Sequence, residues 1–446
     1  MKTIDMNHLK YILPFFLCFF CACENDEEEF VIQNQVDAGN VKLVELRADH
    51  RMMLPDGKAT MKFYPKAYNI LELPDYSPTY KGDTAYYIPS IKCDTSLIPA
   101  SMLPEGLFHL YDEFGNEYPD FTYTTDDTTP RVIRFHLKAG ELRSADLPIE
   151  IRPMPTSVYE ELEIPVIFHV LNQAATPGVA NIEIKASSII NAIDRMNKVF
   201  SGNATSDPNA WDARIKFVPA LYDNNGALLE EPGMHVFEVP STVIFEKDKD
   251  FSDYVLEQSE ELLYDYKHFL NIWLINNPKG SATIVSAPVI MDKNVEPIPG
   301  LKVEDEPVPF PSKPEDVGFF VGMSQFVNPR QNTDYFEIST VMGKYLGLLV
   351  TQAYDNSVTA NFKDGDTDYC PDTAYYWSAG QTIYKNTRHT AQDEDVFYFT
   401  SYNIMDGYSY KNSITLDQVH RIRQVLEKCS SRWMYKSKFA LTGKMD

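Results

Sequence analysis

The sequence predicts a multidomain chain in which an all-β sandwich precedes an α/β (α+β) domain. Three observations point to this organisation. Short β-type runs separated by turn signals fill Val41 to about Arg152, and two prolines mark a hinge at "RPMPTS" (Arg152 to Ser157). After the hinge, apolar strand-like runs alternate with segments of helical period. The 446 residues, 44% hydrophobic and 13% aromatic, suffice for a large buried core and for two domains or more.

The N-terminus reads as an export signal. Lys2 and Lys10 supply positive charge, and Tyr11 to Ala22 ("YILPFFLCFFCA") is apolar but too short to span a bilayer as a helix. Residues 1–22 are therefore expected to be removed. Of the three cysteines at the end of this stretch, only Cys23 directly follows a small residue, Ala22. The box Phe20-Cys21-Ala22-Cys23 resembles the bacterial lipobox, with Phe20 where leucine is usual and Cys21 where a small residue is. This implies a lipid anchor at Cys23, an ordinary secretory signal being the alternative. Residues 23–30 carry "ENDEEE", a charged spacer that cannot pack. It resembles the acidic tag that sends some Gram-negative lipoproteins to the outer face of the outer membrane. With more than one acyl chain buried, such an anchor would be stable.

Lysine and arginine total 40 against 64 acidic residues, a formal charge of −24, and no basic run is present to neutralise phosphates. Nucleic acid is thus excluded as an expected partner, and the acid reads as a soluble, self-repelling surface. Cys93, Cys370 and Cys429 remain after export, an odd number in an oxidising compartment. Cys370 with Cys429 is the expected disulfide, because both fall in the second domain.

Residues 31–152 are assigned to the sandwich. "VKLVELRAD" leads through the turn "LPDGK" into "ATMKFYP", followed by "GLFHLYDEFGNEY", "RVIRFHLKAG" and "LPIEIRP". Alternation shows at Val41 and Leu43, and imperfectly across Val132, Ile133, Phe135 and Leu137. Through "PDGKATMKFY" and "YDEFGN" the region resembles the immunoglobulin-like modules of bacterial surfaces, implying a spacer or a support. Residues 153–157 are the linker.

In residues 158–446 the strand "IPVIFHVL" (Ile164 to Leu171) precedes a helix with Ile189, Ile193, Met196 and Phe200 on one face. A strand at "ARIKFVPAL", a helix from Phe251 to Tyr266 and a strand at "FLNIWLIN" (Phe269 to Asn276) follow. His169 and His268 fall in strand-like apolar runs and are expected in the core, whereas His389 and His420 are expected at the surface. No two of the histidines after the signal lie two to four residues apart, so none forms a metal-ligand pair by spacing. No G-x-S-x-G occurs, and no Ser-His-Asp or Cys-His nucleophile is assigned.

From Glu163 to Arg432 the order of elements resembles the pappalysin-like metzincins, and among them a family of zinc-dependent metalloproteinase lipoproteins. The resemblance is carried by "IPVIFHVLNQ", "RIKFVPA", "GALLEEPGMH", "KHFLNIWLI", "GKYLGLL", "DTDYCPDT", "SYNIMDGYSY" and "ITLDQVHRIRQVL". Metzincins read H-E-x-x-H-x-x-G-x-x-H, in which helical spacing places ligands on one face and the glycine lets the chain turn to a third ligand. Aligned on Gly347, this chain has Thr340, Val341, Lys344 and Val350 at the positions of the first ligand, general base, second ligand and third ligand. Neither valine has a donor atom, Lys344 repels a dication, and Thr340 is a poor neutral ligand. Hence no zinc cofactor and no catalytic residue are expected. The scaffold is retained in Gly343, Tyr345, Leu346, Gly347, Leu348, Leu349 and Thr351, with Met405 at the methionine turn and Gly407 inserted after it. Gly343, Gly347 and Met405 are the expected structural residues.

The loop "KDGDTDYCPD" alternates Asp364, Asp366 and Asp368, which suits a structural calcium ion or else a solvated acidic turn. It lacks the closing glutamate of a twelve-residue calcium loop. The resemblance together with the missing ligands implies an inactive relative that binds a peptide, a host protein or a partner lipoprotein. Its rivals are an active zinc-dependent metalloendopeptidase using non-standard ligands, and a structural adhesin whose binding lies in the β-sandwich. The sequence does not say whether Lys344 has a role of its own, such as filling the vacant metal position with its ammonium and pairing with a nearby acid.

Overall fold

A computed structural model describes residues 40–75, 79–81, 84–86, 90–173, 182–203, 210–276, 283–304, 310–327, 337–353, 368–373, 376–377, 386–388, 397–399, 402–406 and 411–437. The export segment, Cys23 and its tether, Asp364, Asp366, His389 and Gly407 lie outside the described residues. The chain forms a mixed α/β structure with several sheets and few helices, arranged as two compact units. One unit takes the chain up to Leu46 with Pro65–Tyr111 and His136–Ala145, and the other takes Arg47–Tyr64, Asp112–Phe135 and Asp146 onward.

The first strands are β1 (Leu43–Ala48), β2 (Met52–Met53), β3 (Met61–Asp75), β4 (Thr79–Lys81), β5 (Thr84–Tyr86) and β6 (Ser90–Leu97). They are followed by β7 (His109–Asp112), β8 (Thr122–Tyr123), β9 (Arg131–Ala139), β10 (Leu142–Arg143) and β11 (Leu147–Ile151). In the first unit, Tyr68 to Asp75 of β3 run antiparallel to β6, and β4 forms a hairpin with β5. In the second unit, β11 runs antiparallel to Arg131–Phe135 and parallel to β2, while Met61 and Lys62 pair with β8. The alternation read in β9 is real: Ile133, Phe135 and Leu137 are buried and Val132 is exposed. The rings of Phe63 and Tyr123 meet Phe135 at 4.6 and 5.1 Å.

The second unit is built on a sheet of β12 (Leu162–Gln173), β13 (Ile215–Pro219), β14 (Met234–Val239), β15 (Leu270–Ile275), β16 (Thr283–Val285) and β19 (Gly318–Gly322), where β17 (Val289–Ile290) and β18 (Lys302–Val303) form a separate pair. The order is β13-β12-β15-β19-β16, with β14 also on β12, and every pairing is parallel except that of β16. Parallel strands buried on both faces need continuous apolar runs, which "IPVIFHVL" and "FLNIWLIN" supply. Even positions of β12 (Ile164, Val166, Phe168, Val170) face one core, together with Leu270, Ile272 and Leu274 of β15 and Phe319 and Val321 of β19. Leu171, Trp273, Ile275 and Phe320 face the other.

Helices cover both faces: α1 (Ala186–Phe200), α2 (Asp248–Glu257), α3 (Ser259–Leu262), α4 (Met323–Val327), α5 (Ile338–Tyr345) and α6 (Leu416–Lys428). The predicted stripe of α1, Ile189, Ile193, Met196 and Phe200, is buried in the first core. The helix expected over Phe251–Tyr266 is instead two, interrupted at Gln258 (φ −102°, ψ 31°). The break turns the Leu262 carbonyl toward Trp273, whose indole nitrogen donates to it at 2.8 Å. α6 starts in a capping box, with the Gln418 side chain accepting from the Thr415 amide at 3.0 Å and the Thr415 hydroxyl accepting from the Gln418 amide at 3.4 Å.

His169 is a core histidine, fully buried. The Asn271 side-chain amide donates to the Tyr264 carbonyl, so its oxygen faces His169 Nε2 at 2.9 Å and accepts from it. His169 Nδ1 is then left to accept from His235 Nδ1 at 3.0 Å. Burial pushes His169 down to about 3, so the pair is held neutral. His268, expected in the core, is half-exposed instead, because it follows the Asp265 turn just before β15, where its Nδ1 meets Ser437 Oγ at 2.7 Å.

Candidate functional site

The stretch "TVMGKYLGLLVT" forms α5 and the turn after it. The Glu337 carboxylate accepts from the Ser339 amide at the helix start. Ile338, Val341, Met342 and Tyr345 face the sheet core, which leaves Thr340 and Lys344, one turn apart, as the helix's half-buried residues. Gly347 ends the helix at φ +89°, and a Cβ there would lie 2.6 Å from Val425 Cγ2 of α6. A Cβ on Gly343 would meet Met405 Sδ at 3.0 Å and Ile404 Cδ1 at 3.1 Å. The two glycines therefore set how closely α6 and the Asn403–Asp406 turn approach α5.

Polar bonds stitch the same elements together. The Thr340 hydroxyl donates to the Ile404 carbonyl at 2.8 Å, the Thr351 amide reaches the Met405 carbonyl at 3.4 Å, and the Thr351 hydroxyl bonds Asp406. Two arginines that sequence reasoning did not single out hold the far side. Arg421 Nε donates to the Gly347 carbonyl at 2.7 Å and its Nη1 to the Pro299 carbonyl at 2.8 Å. Arg432 is fully buried, stacks 3.6 Å from the Tyr345 ring centre, and donates to the carbonyls of Tyr345 (2.9 Å) and Asp316 (2.6 Å).

Of the four positions aligned with ligands and base, Thr340, Val341 and Lys344 lie on α5 and Val350 follows its glycine turn. Val341 lies in the core, Val350 packs against it, and the Thr340 hydroxyl proton is already given to Ile404. Among the described residues Lys344 makes no ion pair, and burial holds its ammonium below the usual lysine range. Only one of these four side chains, Thr340, has an oxygen to offer a cation, and no group of three His, Cys, Asp or Glu among the described residues is placed to hold a metal ion. A three-ligand zinc ion does not fit this donor set.

A buried acidic network adjoins the turn. Asp368, of the expected calcium loop, is 1% exposed and accepts from the Cys370 amide and the Thr373 hydroxyl, so at this position the loop is not a solvated turn. Burial raises Asp368 to about 6 and Asp406 to about 7. Arg152 bridges Asp372 at 3.1 Å and Asp417 at 2.6 Å, while Asp372 also accepts from the Thr415 hydroxyl at 2.6 Å. Burial, then the Asp417 charge, raises Asp372 to about 6. Cys370 and Cys429 are both buried and stand as free thiols rather than the expected bridge. Cys429 packs with Ile290, Ile298 and Val425, and burial lifts its thiol to about 11, whereas Cys370 lies beside the acidic network and burial raises it further.

The second unit is thus a mixed α/β unit with an almost wholly parallel sheet, in which Gly343 of α5 packs closely on Met405 and Gly347 on Val425 of α6. No family model and no curated protein matches the chain. Among solved structures it is similar to Tannerella forsythia mature mirolysin in complex with a cleaved peptide, at 20% identity and a TM-score of 0.45 over 66% of this chain and 100% of that one. It is also similar to mirolysin in complex with compound 9 (20%, TM-score 0.46, 65% and 100%) and to a Tannerella forsythia promirolysin mutant (21%, TM-score 0.44, 66% and 89%). At this identity and TM-score, the likeness assigns neither family nor activity.

Proposed function

We propose that this chain is a surface lipoprotein whose metzincin-like domain, residues 158–446, binds peptide or protein segments without cleaving them. The observation that carries this reading is the state of α5: the helix, its glycine turn and the methionine turn are packed together, while the positions for metal and base hold Thr340, Val341, Lys344 and Val350. Cys23 is proposed to carry the acyl anchor at the outer membrane, with residues 31–152 as an immunoglobulin-like spacer. The partner class is an extended peptide, a host protein or a companion lipoprotein.

A route to binding without metal is strand addition. β16 is the outermost strand of the sheet order and pairs antiparallel with β19 on its inner side. An extended peptide laid along its outer side would gain main-chain hydrogen bonds with no catalytic group. Hydrogen exchange of the purified chain with β-casein as an unstructured probe tests this. Exchange at Thr283 to Val285 is expected to slow while the casein stays intact. Unchanged exchange there, or casein fragments, would overturn the proposal.

A further inference from the structure

The 3-10 segment that follows α6, Ser430–Lys436, buries Arg432 and Met434 completely but turns the residue between them, Trp433, outward, where it is 38% exposed. An apolar ring of this size left in water is unfavourable unless something covers it. Two contacts hold the indole in place: its Nε1 donates to the Glu427 carbonyl at 3.1 Å, and the Lys436 ammonium lies 3.6 Å from the ring centre. Trp433 lines a cavity of about 800 Å3 in the second unit, and Lys436 does not. The cavity therefore meets the part of the indole that the ammonium leaves uncovered.

Much of the remaining wall is polar. Asp292 Oδ1 accepts from the Asn294 amide at 2.8 Å and from the Asn294 side-chain nitrogen at 3.0 Å. This fixes the two side chains next to each other and leaves Asp292 Oδ2 and Asn294 Oδ1 to accept from a ligand. Glu427, in the last turn of α6, and Ser430 add a carboxylate and a hydroxyl to the same cavity. The charges of the wall balance: Asp292 and Glu427 stand against Lys293 and Lys428, and Lys428 is also tied to Glu296 through its carbonyl at 3.2 Å and its carboxylate at 3.7 Å. A wall without net charge gives little preference to a cation or a polyanion. It matches a neutral molecule with an apolar face for the indole and hydroxyls around its rim, which is the chemistry of a pyranose ring.

We infer that this cavity binds a neutral oligosaccharide, with the C–H face of one sugar stacked on Trp433 and its hydroxyls donating to the carboxylates of Asp292 and Glu427. The volume suits about two or three sugar units. Chains of β-linked glucose or N-acetylglucosamine, whose ring substituents are equatorial, offer the flattest apolar face to the indole.

Calorimetric titration of the full chain with cellotriose, tri-N-acetylchitotriose and maltotriose, and with tetramethylammonium and inorganic phosphate as charged probes, tests the inference. Saturable binding of at least one trisaccharide at millimolar concentration is expected. Trp433→Ala should weaken it by about tenfold or more, through loss of the stacking face. The indole also contacts the Glu427 carbonyl and Lys436, so a second variant separates binding from folding. Glu427→Ala removes an exposed side chain and keeps the carbonyl that holds the indole, and it should weaken the same trisaccharide by about tenfold through loss of a charged acceptor. No saturable binding of any trisaccharide, an unaltered affinity in either variant, or tighter binding of tetramethylammonium or phosphate than of every trisaccharide would each overturn it.

Discussion

Arg432→Ala is expected to destabilise the second unit by about 3 kcal/mol or more, which equilibrium urea unfolding measures directly. The side chain is fully buried, and its guanidinium satisfies the carbonyls of Tyr345 and Asp316 while stacking on the Tyr345 ring. Alanine would leave both carbonyls without these donors, open a cavity against the aromatic ring and untie the C-terminal segment from the last turn of α5. Arg432→Lys keeps the charge but not the flat fork, so it should recover only part of the loss. A change below about 1 kcal/mol for Arg432→Ala would mean that the clamp on α5 is not made by this residue.

Asp406→Asn is expected to stabilise the protein at pH 8 and to do little at pH 3. Burial raises Asp406 from its ordinary 3.8 to about 7 in the folded protein. A raised folded pKa means that the unfolded chain releases this proton first. The stability contributed by the protonated acid is complete below 3.8, is lost as pH rises from there to about 7, and is fully lost above that. Over that interval of roughly three pH units the loss is on the order of 4 kcal/mol. Asparagine removes the titration yet keeps an oxygen for the Thr351 hydroxyl, so the variant should exceed the parent in urea midpoint at pH 8, exceed it by less at pH 5 and match it at pH 3. Asp368 and Asp372, each raised to about 6, give the parent the same sign of slope and would persist in the variant. Equal midpoints at pH 8 would show that Asp406 is ionised at little cost, with Lys411 and His50 answering its charge.

Much of the second unit was legible in the sequence because period alone determines it. Apolar runs at Ile164–Leu171 and Phe269–Asn276 have only one stable use at that length, as strands covered on both faces, and the stripe of α1 admits only one buried side. The α5 stretch was legible only through its resemblance to the metzincin motif, and the structure gives its glycines a physical basis, a left-handed backbone and a close neighbour at Gly347 and a close neighbour at Gly343. The break at Gln258 left no such mark, and the bond that Trp273 makes to the Leu262 carbonyl beyond it joins residues with no local relation in the sequence. Arg421 and Arg432 were not singled out in the sequence, because nothing local tells that their partners are backbone carbonyls far along the chain. Asp368 misled in the same way. A run of alternating aspartates reads as water-facing, whereas this one is closed over by Thr373 and Cys370.

These features describe a helix whose packing is specified in detail, and the proposed function holds that this packing is kept without metal chemistry. Arg421, Arg432, Val425 and Met405 all act on α5 or its turn. The most direct test is metal analysis of the purified chain after exposure to zinc and desalting, paired with a digest of unstructured β-casein. Well under one zinc per chain and an intact substrate are predicted; stoichiometric zinc with cleavage that a chelator abolishes would contradict the account.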